Sequence, residues 1–171
     1  KRQTFALAQG PAAEAMARQS PSQHSLNALY RNTGQGSFLE IAQLAGVDRT
    51  DWTWSPVFGD FDNDGWQDLF VTNGMVRDLA NLDLIARLRR ADSPAQAVAL
   101  VRHSPALQEE NRVFRNTGRL RFEDATAAWG LSDFGVSFGA VASDLDGDGD
   151  QDLIYANFRS EERRVGKECR S

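Results

Sequence analysis

The stretch "DFDNDGWQDL" at residues 60–69 returns as "DLDGDGDQDL" at 144–153. Counting from the first aspartate, carboxylates occupy positions 1, 3, 5 and 9: Asp60, Asp62, Asp64 and Asp68, then Asp144, Asp146, Asp148 and Asp152. Gly65 and Gly149 hold position 6. Oxygen ligands at this spacing fall on one side of a tight loop, and glycine permits the turn that brings the position-7 carbonyl, from Trp66 or Asp150, toward the same point. Such crowded like charges call for a cation. Calcium suits them because it accepts six to eight oxygens in flexible geometry, whereas magnesium prefers a strict octahedron and retains its waters. No His or Cys accompanies either loop, which argues against zinc. The reading is therefore two calcium sites. The competing one is a pair of solvated acidic turns.

The duplication extends well beyond the loops. Asn27 and Asn111 open matching segments, "NALYRNTGQGSF" and "NRVFRNTGRLRF", and the 84-residue offset that relates them also relates Asp60 to Asp144. Without a gap, 27–74 aligns on 111–158, and sixteen of the 48 positions are identical, including Arg31/Arg115, Gly46/Gly130 and Asn73/Asn157. A repeat of this kind decides the fold before any single element does. In each copy, short runs of nearly alternating apolar and polar residues surround a Gly-containing turn ("LYRN", "TGQG", "SFLE"), the pattern of a hairpin. A further pair, "WSPVFGDF" and "DLFVTN", flanks the first acidic loop, with "VSFGAVAS" and "DLIYAN" as its counterpart. An EF-hand is excluded: position 12 is Val71 or Tyr155 instead of Glu, and the residues that follow favour a strand.

Four short strands per unit, repeated in tandem, predict an all-β fold of β-propeller blades. The expected organisation is an N-terminal segment 1–26 and a repeat region 27–158. That region divides into the end of one blade (27–50), a full blade (51–126) and the start of another (127–158). The repeat is longer than the ~40–50 residues of a compact blade, and residues 76–110 account for the excess. Leu79, Leu82, Ile85 and Leu88 at helical spacing, then Pro94 and an Ala-rich run, predict two short helices inserted between the second and third strands. One full blade and two half blades form a fragment that leaves sheet edges exposed. Lys1 in place of Met at the start fits the same expectation.

These motifs resemble the FG-GAP/VCBS repeat family, related to the blades of integrin α-chain propellers. The likeness rests on "FGDFDNDGWQDLFVTN", "LYRNTGQGSF" and "SFGAVASDLDGDGDQDLIYAN", the last with Phe138 and Gly139 in its FG strand. It extends to bacterial-type repeat proteins that often carry an ASPIC domain. Their arrays include a blade with a helical insert followed by an "N-x-L-F-R-N" hairpin, to which "NRVFRN" at 111–116 is similar, but nothing resembling the ASPIC domain is present, so no function specific to it carries over. The resemblance implies that the eight aspartates are ligands, and that the chain is a secreted, cell-surface or outer-envelope module of recognition or adhesion. Its expected partners are an extracellular protein or glycan and the neighbouring blades. Trp66 stands where these repeats more often have a small or acidic residue, yet only its carbonyl is needed.

With 24 acids against 19 bases, the chain is unsuited to nucleic acid, and no apolar run approaches the ~20 residues of a membrane span. After "YANF" the patterning stops. "RSEERRVGKECRS", residues 159–171, reads as a translated sequencing adapter and is set apart from the fold as a non-native tail. It holds Cys169, the single cysteine. Two other functions compete with adhesion: a propeller forming part of a secreted hydrolase or lyase, and a passive spacer. The loops supply enough oxygens to close a cation in, which favours a structural ion over a catalytic one. No catalytic constellation accompanies His24, His103 or Glu109, so a non-enzymatic module is expected. Trp52, Trp54 and Trp129 are expected to pack in the core, although Trp52 and Trp54 on one strand face could also stack on a sugar.

Overall fold

The computed structural model describes residues 26–79 and 81–158. The segment expected at 1–26, Leu26 excepted, lies outside the described residues, as do His24 and the stretch 159–171. The fold is all-β, propeller-like and fragmentary, with a short helical insert. A hairpin of β1 (Tyr30–Asn32) and β2 (Phe38–Glu40) is followed by a one-turn helix α1 (Ala42–Ala45). The strands β3 (Thr53–Gly59), β4 (Asp68–Asn73), β6 (Arg112–Asn116) and β7 (Phe122–Asp124) form an antiparallel sheet in the order β3-β4-β6-β7. A three-stranded sheet, β5-β8-β9, joins β5 (Glu109–Glu110), β8 (Phe134–Ser143) and β9 (Asp152–Phe158). Each acidic loop connects two paired strands, β3 to β4 and β8 to β9.

Burial follows the two-residue period of a strand covered on both faces. All six residues of β4 are buried. Leu69 and Val71 pack with Ala42, Ala45, Val47 and Phe114 against the N-terminal hairpin side. Phe70 points the other way, into a cluster with Phe61, Val113, Ala125, Leu131, Leu153 and Tyr155 that ties the four-stranded sheet to β9. The sheets thus pack against one another with apolar residues between them. The repeat is exact enough to preserve an irregularity: the register shifts between Thr53 and Ser55, and again between Ser137 and Gly139, at equivalent positions.

Buried polar groups connect the sheets. Thr53 Oγ1 donates to Asn73 Oδ1 at 2.7 Å, the Asn73 N–H donates to Asn111 Oδ1 at 2.9 Å, and Asn111 Nδ2 donates to Ser137 Oγ at 3.0 Å. Every link is a satisfied hydrogen bond inside the protein, where an unmet one would cost about 1–3 kcal/mol. Asn73 and Asn111 are identities of the repeat, kept at Asn157 and Asn27.

The insert contains α2 (Leu82–Arg89), capped by Asn81, whose Oδ1 accepts the Asp83 and Leu84 N–H groups. Ser93 caps α3 (Pro94–Arg102), which has proline in its first turn. The buried side of α2 runs through Leu84, while Leu82 and Leu79 are exposed. Ile85 and Leu88 are half-buried beside Leu84, so the expected face holds in the body of the helix, while Leu79 lies ahead of it and Leu82 opens it, both exposed. Trp129 packs against the core as expected. Trp52 and Trp54 differ from expectation: they are 37% and 46% exposed, at the start of an edge strand. Trp54 is fixed by its indole N–H, which donates to the Gly74 carbonyl, and its ring meets Phe138 edge-on at 5.1 Å.

Candidate metal centre

The two loops share one turn. Positions 4 and 6 take left-handed backbone, at Asn63 (φ 57°) and Gly65 (φ 85°) in the first and at Gly147 (φ 80°) and Gly149 (φ 95°) in the second. Asn and Gly are the residues that adopt this region at least cost. The first aspartate organises the turn: Asp60 accepts the N–H groups of Asp64 and Gly65, and Asp144 those of Gly147 and Gly149. The last one closes it, Asp68 accepting from Phe61 and Asp152 from Leu145, each at 3.0 Å.

The result is a convergence of carboxylates. Oxygen atoms of Asp60, Asp62 and Asp68 lie within 4.8 Å of one another, and so do those of Asp144, Asp146 and Asp152. Asp64 and Asp148 fall outside these groups. Asp64 Oδ1 accepts the Trp66 N–H at 2.9 Å, and Asp148 Oδ1 accepts the Asp150 N–H at 2.9 Å. Trp66 is half exposed, with its ring lying over Gly118 in the β6–β7 turn, where a Cβ would come within 2.9 Å of it.

Electrostatics mark the same atoms. Burial pushes the Asp68 carboxyl above the ordinary aspartate value, against the pull of the Asn116 and Phe61 N–H groups, with Asp62 and Asp64 adding to the rise. The Asp148 N–H holds Asp146 down, but desolvation and the charges of Asp148 and Asp152 carry it up. Asp62 Oδ1 is buried without a hydrogen-bond partner. A buried carboxylate oxygen left unpaired is costly, and Asp62 belongs to a group whose donors are all carboxylates. That is the environment a hard cation fits.

Sequence reasoning missed a second set of residues at the first loop. Arg115, on β6, donates from Nε to Asp62 Oδ2 at 2.5 Å and from Nη2 to Asp64 Oδ2 at 2.9 Å. The hydrogen bond to Asp62 raises the guanidinium's already high pKa. Asn116 adds its N–H to Asp68 Oδ1 at 2.7 Å and its side-chain amide to the Gln67 carbonyl at 2.9 Å. Gln151, in the second loop, accepts the Asp60 N–H at 3.1 Å and so bridges the two loops. The available signal was the repeat itself, since Arg31/Arg115, Asn32/Asn116 and Gln67/Gln151 are all identities.

A cleft of about 420 Å³ between α2 and α3 is lined by Asp78, Asp83, Arg87, Gln96 and His103 among others. Neither Glu109 nor any aspartate of the acidic loops lines it. His103 Nδ1 is engaged with the Ala99 carbonyl at 2.7 Å, and Glu109 Oε2 accepts the Trp52 N–H at 3.0 Å.

No helix among the described residues is long and apolar enough to cross a membrane. The family model described as FG-GAP-like repeat matches residues 15–71, which takes in the first hairpin, β3, the first acidic loop and most of β4. No curated protein matches the chain.

Proposed function

We propose that this chain is a calcium-binding repeat module of an extracellular or envelope propeller, used to recognise or adhere to a protein or glycan. Repeats of the matched family are typically non-catalytic, belong to extracellular or surface proteins and often bind calcium. The observation that carries the calcium reading is Asp62 Oδ1, buried and unpaired beside Asp60 and Asp68. Asp60, Asp62, Asp64 and Asp68, with the Trp66 carbonyl, hold one ion; Asp144, Asp146, Asp148 and Asp152, with the Asp150 carbonyl, hold the other. The ion's role is structural: it neutralises the loop and fixes the turn between two strands. Sites with Kd of about 10⁻⁴–10⁻³ M suffice where calcium is plentiful outside cells. The likeness to VCBS-type bacterial repeats belongs to this reading, as do 51–126 as the complete blade and 159–171 as a non-native tail.

Calorimetric titration with calcium, with magnesium as control, tests it. Two calcium ions should bind, and Asp60→Ala and Asp144→Ala should each remove one. A folded chain that takes up no calcium would overturn the assignment. The hydrolase reading gains no support from the cleft at His103, whose lining includes no aspartate of either loop.

A further inference from the structure

The acidic loops lie one repeat apart in sequence but touch in space, and the contact falls on the first ligand position of one loop and between two ligand positions of the other. Gln151 Oε1, in the second loop, accepts the Asp60 N–H at 3.1 Å. Asp60 is the residue whose carboxylate gathers the Asp64 and Gly65 N–H groups, at 3.1 and 2.9 Å, and so shapes the first turn. Gln151 stands between Asp150, at position 7, and Asp152, whose carboxylate converges with those of Asp144 and Asp146. One side chain therefore joins the two candidate sites.

The main chain is shaped to admit this contact. Gly59, next to Asp60, is buried at the end of β3, and a Cβ there would collide with Gln151 Oε1 and lie 2.8 Å from the Phe61 ring. Its backbone lies outside the left-handed region, so the glycine answers to space and not to conformation. The repeat equivalent is Ser143, which is exposed. Phe61 supplies a second, apolar contact: it is 6% exposed and packs in one cluster with Leu153 and Tyr155 of β9. Its N–H in turn reaches Asp68 Oδ2 at 3.0 Å. Positions 1 and 2 of the first loop thus rest on the segment 151–155, and position 9 is tied to them.

We propose that Gln151 is a positioning residue shared by both loops, and that through it the order of one loop is transmitted to the other, so that a cation in either raises the other's affinity. The cation part rests on the calcium reading above; the link between the loops does not. A cation held by Asp144, Asp146 and Asp152 fixes the segment 150–152 and Gln151 with it. The first loop then no longer bears the entropy cost of ordering that contact when its own ion arrives. The effect is reciprocal, because coupling between two binding equilibria must be. One hydrogen bond and one buried ring place it at the lower end of the ordinary range, about fivefold.

Calorimetric calcium titration of the full 171-residue chain and its Asp60→Ala and Asp144→Ala variants, each with and without Gln151→Leu, tests the proposal. Each aspartate variant reports one loop's affinity with the other disabled. The product of the two association constants of the intact chain should therefore exceed the product of the single-loop constants by about fivefold. Gln151→Leu, close in size but without the acceptor, should abolish the excess, and Gln151→Glu, which keeps an oxygen for the Asp60 N–H, should retain it. Equal products in the intact chain, or an excess that Gln151→Leu leaves unchanged, would overturn the proposal. Circular dichroism checks folding; if Gln151→Leu does not fold, Gln151→Ala replaces it. Amide hydrogen exchange in EDTA separates the link from calcium. Asp144→Ala strands the Gly147 and Gly149 N–H groups and loosens the second turn. Exchange at Asp60, Asp64 and Gly65 should then rise several-fold, and should not respond to Asp144→Ala once Gln151→Leu is present. First-loop amides indifferent to Asp144→Ala would sink the proposal whatever calcium does. Linked exchange in a chain that takes up no calcium would instead count against the metal reading alone.

Discussion

The loops at 60–69 and 144–153 have nearly the same sequence and the same turn, yet different surroundings. The first is enclosed: Arg115 clasps two of its carboxylates, Asn116 ties down Asp68 and Gln67, and Asp68 is fully buried. The second stands at the edge of its sheet among the described residues, and Asp144, Asp146 and Asp148 are exposed. The difference teaches that the turn forms from its own residues, while its burial and neutralisation come from the hairpin of the following unit. Local sequence makes the loop, and the neighbouring strand completes it.

Calcium gives the largest test of this comparison. At a calcium concentration one hundred times the Kd, each occupied site should add about 2.7 kcal/mol of stability. Thermal melts with stepwise calcium should show the enclosed loop filling at lower concentration, and equal affinities for the Asp60→Ala and Asp144→Ala chains would erase the distinction. Next, in EDTA, Asp68→Ala should cost about 2–3 kcal/mol, because it strands the buried Phe61 and Asn116 N–H groups. The equivalent Asp152→Ala strands only the Leu145 N–H near solvent and should cost about 1 kcal/mol or less. Urea unfolding of the two variants decides between them.

Arg115→Ala should lower metal-free stability in urea unfolding, and Arg115→Lys should not fully restore it, since an ammonium cannot fork onto two carboxylates. The corresponding change at the exposed Arg31, Arg31→Ala, should have no effect; a loss as large as that at Arg115 would contradict the contrast. The smallest effect lies away from both loops. Burial would raise the Asp124 pKa, but its hydrogen bonds with Thr126 and the charge of Arg112 outweigh that and hold it below the ordinary value. A depressed carboxylate stabilises the fold above its unfolded pKa of about 4, and that contribution fades as pH falls through the lower folded value. Asp124→Asn keeps the Thr126 bonds and should flatten this acid limb by about half a kcal/mol, measured as unfolding free energy between pH 6 and pH 3.

Much of this arrangement was legible before any coordinates. The 84-residue offset placed both loops between strands, and the glycine at position 6 marked the turn that Gly65 and Gly149 make. The helical insert between the second and third strands was readable from its change of period. The Arg115 clasp was not, because it joins residues more than fifty positions apart and its charge alone looks like an ordinary surface arginine. Trp52 and Trp54 misled for another reason: a large aromatic signals burial only if its surroundings cover it fully, and Trp52, just ahead of the edge strand β3, and Trp54, on it, stay partly open to solvent. In α2 the spacing found Ile85 and Leu88, which are half-buried, but placed Leu79 and Leu82 in the same stripe although the helix starts only at Leu82 and both are exposed.

The insert leaves and rejoins the sheet through a narrow neck. The backbones of Met75 and Leu107 exchange two hydrogen bonds of 2.8 Å, and the Asp78 N–H reaches the Pro105 carbonyl just beyond. Whatever lies past that neck is free to vary, since doubling a flexible loop adds only about 0.6 kcal/mol of closure entropy. The position works as a socket. A foreign domain whose ends lie close together could be spliced between Met75 and Leu107 and carried by the blade, leaving β4 and β6 paired beneath it.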